Sequence, residues 1–156
     1  MKDEPIVVVD QAKCTGCNLC RLSCSIEMEG TCDPRKSRVT VPGEDRVGFS
    51  PQLCRHCQEP PCLDACPAGA IVRGDGGRIL LLEERCRGCN MCVMVCPFNA
   101  VVHYGAFYRK CGSCQDPPQC ETVCLQGALR FTTAAREAGR KRRALAKRLT
   151  AACISP

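Results

Sequence analysis

Hydrophobic residues come in short bursts along this 156-residue chain, and no aliphatic run exceeds four residues, the length of Ile79 to Leu82. Runs of that length suit strands and are far too short to span a membrane. Val7 to Val9, inside IVVVD, are β-branched and predict a short strand within residues 1–13. AGAIVRGDGGRILLLEE predicts a strand, a glycine-rich turn at Gly74 to Gly77 and a second strand, which together make a hairpin. NAVVHYG and GALRFTT each predict one further strand. Between Ser25 and Pro51, Gly30, Pro34, Pro42, Gly43 and Gly48 predict a helical start that gives way to extended and turn segments. From Ala134 to Cys153 the period changes. Ala134, Ala138, Leu145, Leu149 and Ala152 recur near helical spacing, with Arg140 to Arg143 and Lys147-Arg148 supplying charge, so the tail predicts a basic amphipathic helix.

The polar stretches between these bursts are full of cysteine. RCRGCNMCVMVCP holds Cys86, Cys89, Cys92 and Cys96 at spacings of two, two and three, followed by Pro97. In that arrangement three thiolates wrap one face of a [4Fe–4S] cube, and the fourth, a helical turn further on, serves a second cube. Thiolate is the soft donor such clusters require. Gly88 lets backbone approach the inorganic sulfur with no Cβ in the way. The same compact spacing occurs at Cys14, Cys17, Cys20 and Cys24, with Gly16 in the place of Gly88. Two wider motifs alternate with these. Cys54, Cys57, Cys62 and Cys66 enclose Glu59-Pro60-Pro61, and Cys111, Cys114, Cys120 and Cys124 enclose Asp116-Pro117-Pro118. The paired prolines predict stiff surface loops.

Cysteine makes up 18 of the 156 residues, and sixteen of those fall in the four motifs, leaving Cys32 and Cys153 over. A disulfide scaffold would need an oxidising compartment, and the charged N-terminus MKDEPIVVVDQ does not read as a signal peptide. Structural zinc favours two separated pairs of cysteines per ion rather than four in eleven residues. Iron–sulfur clusters fit the grouping, in a soluble protein of a reducing compartment, with Cys32 and Cys153 as free thiols. The net charge of +6 resides in the tail: residues 133–156 carry seven basic residues and one acid, whereas residues 1–132 carry fifteen of each.

The motifs must pair, because each lends its fourth cysteine to its partner's cluster. Motifs two and three both end in Cys-Pro, at Pro67 and Pro97, and a short hairpin joins them. Motifs one and four both lack that proline, with Ser25 and Leu125 in its place. We therefore expect an α+β fold of two bacterial 2[4Fe–4S] ferredoxin-like units, one nested inside the other, plus a C-terminal helix. Residues 1–50 and 105–132 form the outer unit, 51–104 the inner unit and 133–156 the basic helix. Four clusters are then held by Cys14, Cys17, Cys20 and Cys124; by Cys24, Cys111, Cys114 and Cys120; by Cys54, Cys57, Cys62 and Cys96; and by Cys66, Cys86, Cys89 and Cys92. Pairing of sequence neighbours, one with two and three with four, is the alternative.

Four motifs in this order, with LCRHCQEPPCLDACPAGAI at the second, resemble the four-cluster electron-transfer subunits of multi-subunit oxidoreductases. That family includes the iron–sulfur subunits of dimethyl sulfoxide reductase-type molybdoenzymes and of formate hydrogenlyase, the carbon monoxide dehydrogenase ferredoxin and the tungsten aldehyde oxidoreductase small subunit. The resemblance covers about residues 5–132. It implies the nested pairing and a relay of four clusters. The chain's size is similar to that of the small soluble members, the tungsten aldehyde oxidoreductase small subunit in particular, whose complex is cytoplasmic and FAD-linked.

A cube with four cysteine ligands has no open site, so a non-catalytic electron carrier is expected. Its partners would be a catalytic oxidoreductase subunit and an FAD- or NAD-linked subunit or soluble acceptor. A freely diffusing polyferredoxin is the alternative. The tail helix would dock on an acidic subunit surface or on a second copy of the chain. Nucleic acid is disfavoured by the 4% aromatic content. Arg55, Arg85, Arg87 and Lys110 adjoin motif cysteines and either tune potentials or are solvated charges. His56 reads as a structural or hydrogen-bonding residue, His103 as a core or surface residue, and Asp75 as part of a turn. None of these belongs to an acid–base constellation.

Overall fold

Strand pairing in this protein joins segments far apart in sequence. The computed structural model describes residues 5–44, 47–105, 107–112, 114 and 117–154; Met1 to Glu4 and Asp116, named above, lie outside them. β1 (Pro5–Val9) pairs antiparallel with β8 (Leu129–Thr133), with Val7 opposite Phe131 and Val9 opposite Leu129. Val7 and Leu129 turn inward and are buried. The first strand and the strand after the last motif therefore close on each other. Inside that closure, β4 (Ile71–Arg73) and β5 (Ile79–Leu81) form the expected hairpin around the glycine-rich turn, with Ile71 and Ile79 buried. A second hairpin pairs β6 (Val101–Tyr104) with β7 (Phe107–Lys110). A small ribbon, β2 (Gly43–Glu44) with β3 (Gly48–Phe49), lies in the 25–51 excursion.

Each cysteine motif runs into a helix: α1 (Leu19–Glu29), α2 (Pro61–Asp64), α3 (Met91–Val95) and α4 (Gln119–Thr122). α1 packs against α4, and α2 against α3. The buried hydrophobic residues form three small groups, and cysteine belongs to each. One holds Val7, Val39, Leu53 and Leu129 with Cys20 and Cys120. A second holds Ile71, Ile79, Val101 and Tyr108 with Cys62 and Cys92. The third holds only Ala100 with Cys54 and Cys111.

The tail forms α5 (Ala134–Ile154), and no helix among the described residues is long and apolar enough to cross a membrane. The tail helix packs against β8 and β1, and its buried side chain, Glu137, lies in its first turns. Glu137 is buried there and accepts from Arg130 at 3.2 Å and Arg140 at 2.7 Å. The Arg140 hydrogen bond, reinforced by the Arg130 charge, holds the Glu137 carboxyl below its ordinary value of 4.5. A carboxylate whose folded pKa is lowered stabilises the fold above its ordinary pKa and ceases to do so as pH falls through the folded value. The docked turns should therefore loosen as pH drops below about 4.5, and Glu137→Gln should loosen them already at neutral pH. Faster amide exchange across residues 134–140, with the cysteine-rich body unchanged, is the expected readout.

Candidate metal centres

Left-handed backbone conformations set up the two compact motifs. Gly16 (φ +72°) and Gly88 (φ +69°) occupy the region that favours glycine, and Asn18 (φ 60°) and Asn90 (φ 65°) follow in the same region, immediately before α1 and α3. Asparagine tolerates that conformation better than most residues. At Gly16 an added Cβ would also lie 2.6 Å from the Phe49 ring. The demand on glycine is thus local and conformational, beyond the clearance for sulfur expected from sequence. In the wider motifs proline does the corresponding work. Pro61 is the first residue of α2 and Pro118 caps α4, where a missing N–H costs nothing. The expected surface loops hold in part: Glu59, Pro61 and Pro117 are exposed, but Pro60 and Pro118 are buried and cap helices.

As a result, the third cysteine of each motif is the second residue of a helix, and Cys20, Cys62, Cys92 and Cys120 are all buried. The fourth cysteines receive backbone N–H groups. Ala70 donates to Cys66 Sγ at 3.3 Å and Ala100 to Cys96 Sγ at 3.4 Å, both four residues on, and Arg38 donates to Cys24 Sγ at 3.3 Å. Such donors favour thiolate. Burial still acts against it at Cys66, but the nearby backbone donors prevail and its thiol falls below the usual value. Burial pushes Cys20 up to about 11 and Cys120 up to about 12, each helped by neighbouring cysteines.

The sixteen motif cysteines line four cavities. The first is lined by Cys14, Cys17, Cys20 and Cys124. The second is lined by Cys24, Cys111, Cys114 and Cys120. The third has Cys54, Cys57, Cys62 and Cys96 in its wall, and the fourth has Cys66, Cys86, Cys89 and Cys92. Each wall thus combines three cysteines of one motif with the fourth cysteine of another, and the remainder is mostly apolar. Among the described residues, no three cysteine, histidine or carboxylate side chains converge on one point closely enough to share a single ion. A donor set of four sulfurs around a hole suits a polynuclear iron–sulfur group, which needs soft ligands spread over several metal atoms.

The cavities adjoin in a row. Cys20 and Cys120 share one buried group, linking the first to the second. Cys111 and Cys54, with Cys96 beside them, link the second to the third. Cys62 and Cys92 link the third to the fourth. At the two ends, Cys17 and Cys89 are exposed.

The other residues singled out from sequence fall in varied places. Arg85 and Arg87 are exposed, and Arg55 is part-buried and donates to the Val7 carbonyl at 2.9 Å. Lys110 is not a surface charge: it is 7% exposed, because β7 turns it inward beside Tyr108. His56 is buried with Nδ1 accepting the Ile79 N–H at 3.2 Å, and burial together with the Lys110 and Arg78 charges drives its pKa down to about 4. His103 is exposed on β6, its ring tilted against that of Tyr108 with centroids 4.9 Å apart. Asp75 lies in the turn between β4 and β5. Cys32 is exposed and free, and the Cys153 side chain lies outside the described residues.

This chain belongs to the 4Fe–4S dicluster domain family, whose pattern matches residues 46–134. An iron–sulfur protein of Rhodospirillum rubrum is 33% identical to it, covering 84% of this chain and 83% of that one. The β chain of NADH-dependent phenylglyoxylate dehydrogenase from Aromatoleum evansii is also 33% identical over 83% of this chain, which spans only 30% of that larger polypeptide. Among solved structures, the active-site complex BamBC of benzoyl-coenzyme A reductase contains a chain of similar fold, with TM-score 0.50 and 22% identity over 92% of this chain and 90% of that one. Further relatives include a tetrathionate reductase subunit from Salmonella typhimurium and the electron transfer subunit of thiosulfate reductase from Salmonella typhi. The protein is an iron–sulfur electron-transfer component of the kind that serves as a non-catalytic subunit of oxidoreductase complexes.

Proposed function

We propose that the chain holds four [4Fe–4S] clusters, one in each cysteine-lined cavity, and relays single electrons along the row for a catalytic oxidoreductase subunit. The observation that carries this reading is the set of four adjoining cavities, each walled by four cysteines from two motifs. In this reading the first cluster is held by Cys14, Cys17, Cys20 and Cys124, the second by Cys24, Cys111, Cys114 and Cys120, the third by Cys54, Cys57, Cys62 and Cys96, and the fourth by Cys66, Cys86, Cys89 and Cys92. A bound cube supplies one-electron transfer and no bond chemistry. The protein's part is to fix the cubes in sequence, exclude water from the inner two, and leave the outer two near the surface at Cys17 and Cys89. The pairing of β1 with β8 and of α1 with α4 supports an outer unit built from motifs one and four around an inner unit from motifs two and three.

The partner in this reading is a tungsten- or molybdenum-type catalytic subunit, of the aldehyde oxidoreductase kind, with a flavin-linked subunit or soluble acceptor at the other end, in the cytoplasm. The basic tail supports a dedicated docking partner over a freely diffusing carrier. Beyond Arg140 every residue of α5 whose side chain is described is exposed, including Leu145 and Leu149, with Lys141, Arg142, Arg143, Lys147 and Arg148 around them. A projecting helix with apolar and cationic residues fits an acidic groove on the catalytic subunit. Truncation after Thr133 should leave the iron content unchanged and release the chain from its complex on native gels and size exclusion. A truncated chain that still assembles at full stoichiometry would refute the role given to the tail.

A further inference from the structure

Lys110 ends β7 and precedes Cys111. Its buried Nζ lies 2.7 Å from Cys54 Sγ and donates to the Ile79 carbonyl at 2.6 Å. Cys54 walls the third cavity and Cys111 the second, and both pack with Ala100 in the smallest buried group. The ammonium thus stands where the two inner cavities meet. Its place there is built from several sides. Gly112 approaches β5 so closely that an added Cβ would lie 3.0 Å from the Ile79 oxygen and 2.8 Å from Leu80. The Arg78 guanidinium donates to the carbonyls of Gly112 at 3.3 Å and Cys114 at 2.6 Å, tying motif four to the hairpin. The His56 ring lies alongside, 3.6 Å from Cys54 Sγ.

Burying an ammonium is costly unless negative charge compensates it. Its hydrogen-bond partners include the Ile79 carbonyl and the Cys54 sulfur, and a thiolate ligand of a cluster supplies that charge. An N⁺–H···S hydrogen bond favours the more negative, reduced state of a cluster over the oxidised one. We infer that Lys110 is a positioning residue that raises the reduction potential of the cluster held by Cys54, Cys57, Cys62 and Cys96. This inference rests on the four-cluster reading above and assigns Lys110 a function within it: the interior of the relay is tuned by a buried cation.

The test is potentiometric titration, followed by electron paramagnetic resonance, of the full-length, anaerobically purified chain with its clusters loaded. Wild type is compared with Lys110→Met, Lys110→Gln and Lys110→Arg. In the Met variant one midpoint should fall by at least tenfold in the reduced-to-oxidised ratio at fixed potential, or about 59 mV for one electron, and by more than any other, with the iron content unchanged. The Gln variant, which keeps a donor without the charge, should fall part of the way, and the Arg variant should stay near wild type. Should the Met variant fail to load, the Gln and Arg variants carry the comparison. Unchanged midpoints in a fully loaded Met or Gln variant would overturn the inference, as would an equal shift of every midpoint. Failure of the four-cluster reading is separate, since it would show as a low iron count in wild type.

Discussion

Removing iron under anaerobic conditions should unfold this chain. The apolar interior is small. Leu53, Ile79, Leu129 and Val39 are its largest fully buried hydrophobic side chains, and each of the three buried groups includes cysteine. Sheets of only two strands and helices of four or five residues have little independent stability. With the metal gone, four sulfur-walled cavities would have nothing to fill them. Unfilled cavities in a packed interior are destabilising. Ligand binding is then inseparable from folding. Chelation should abolish the far-ultraviolet circular dichroism of the body and leave the motif thiols open to alkylation. An iron-free chain that keeps native dichroism and protects its thiols would contradict this.

The second large effect belongs to Cys111. It is 8% exposed, walls the second cavity and packs against Cys54 of the third. Serine offers a harder donor that iron–sulfur clusters accept poorly. Cys111→Ser should lose about a quarter of the iron and break the row in the middle, so that electrons supplied at one exposed end no longer reach the other. Rapid-mixing reduction should show part of the absorbance bleaching at the wild-type rate and the remainder not bleaching at all. Cys32→Ser, at an exposed thiol outside the four cavities, should change neither iron content nor rate. Full transmission through the Cys111 variant would mean that the cavities do not act in series.

The spacing of cysteines carries most of what is visible in the sequence. It groups the cysteines, and the absence of proline after Cys24 and Cys124 sets apart motifs one and four, which follow β1 and precede β8, two strands that pair in the structure. The hairpin at residues 71–81 and the tail helix follow equally directly from hydrophobic period. β7 does not show in that period. Tyr108 and Lys110 alternate inward, but a lysine on the buried face breaks the apolar pattern that marks a strand. By sequence the same residue therefore groups with Arg85 and Arg87, which do face solvent. Its environment depends on Ile79 and Cys54, 31 and 56 residues away, and no local pattern encodes that. The helix-starting prolines read as loop for a related reason: a proline pair suits both a turn and a first helical turn, and only the packing of Pro60 and Pro118 distinguishes them. The paired Cys-Asn steps at residues 17–18 and 89–90 are a local signal of the left-handed residues, since asparagine in that setting marks such a residue at a helix start.

The claim beneath all of this is the number of clusters, and counting metal tests it most directly. Iron and acid-labile sulfide determined on anaerobically purified protein should each come to about sixteen atoms per chain, four for each of four cubes. About eight of each would mean two clusters and a different use for half of the cysteines, and zinc in place of iron would contradict the account altogether.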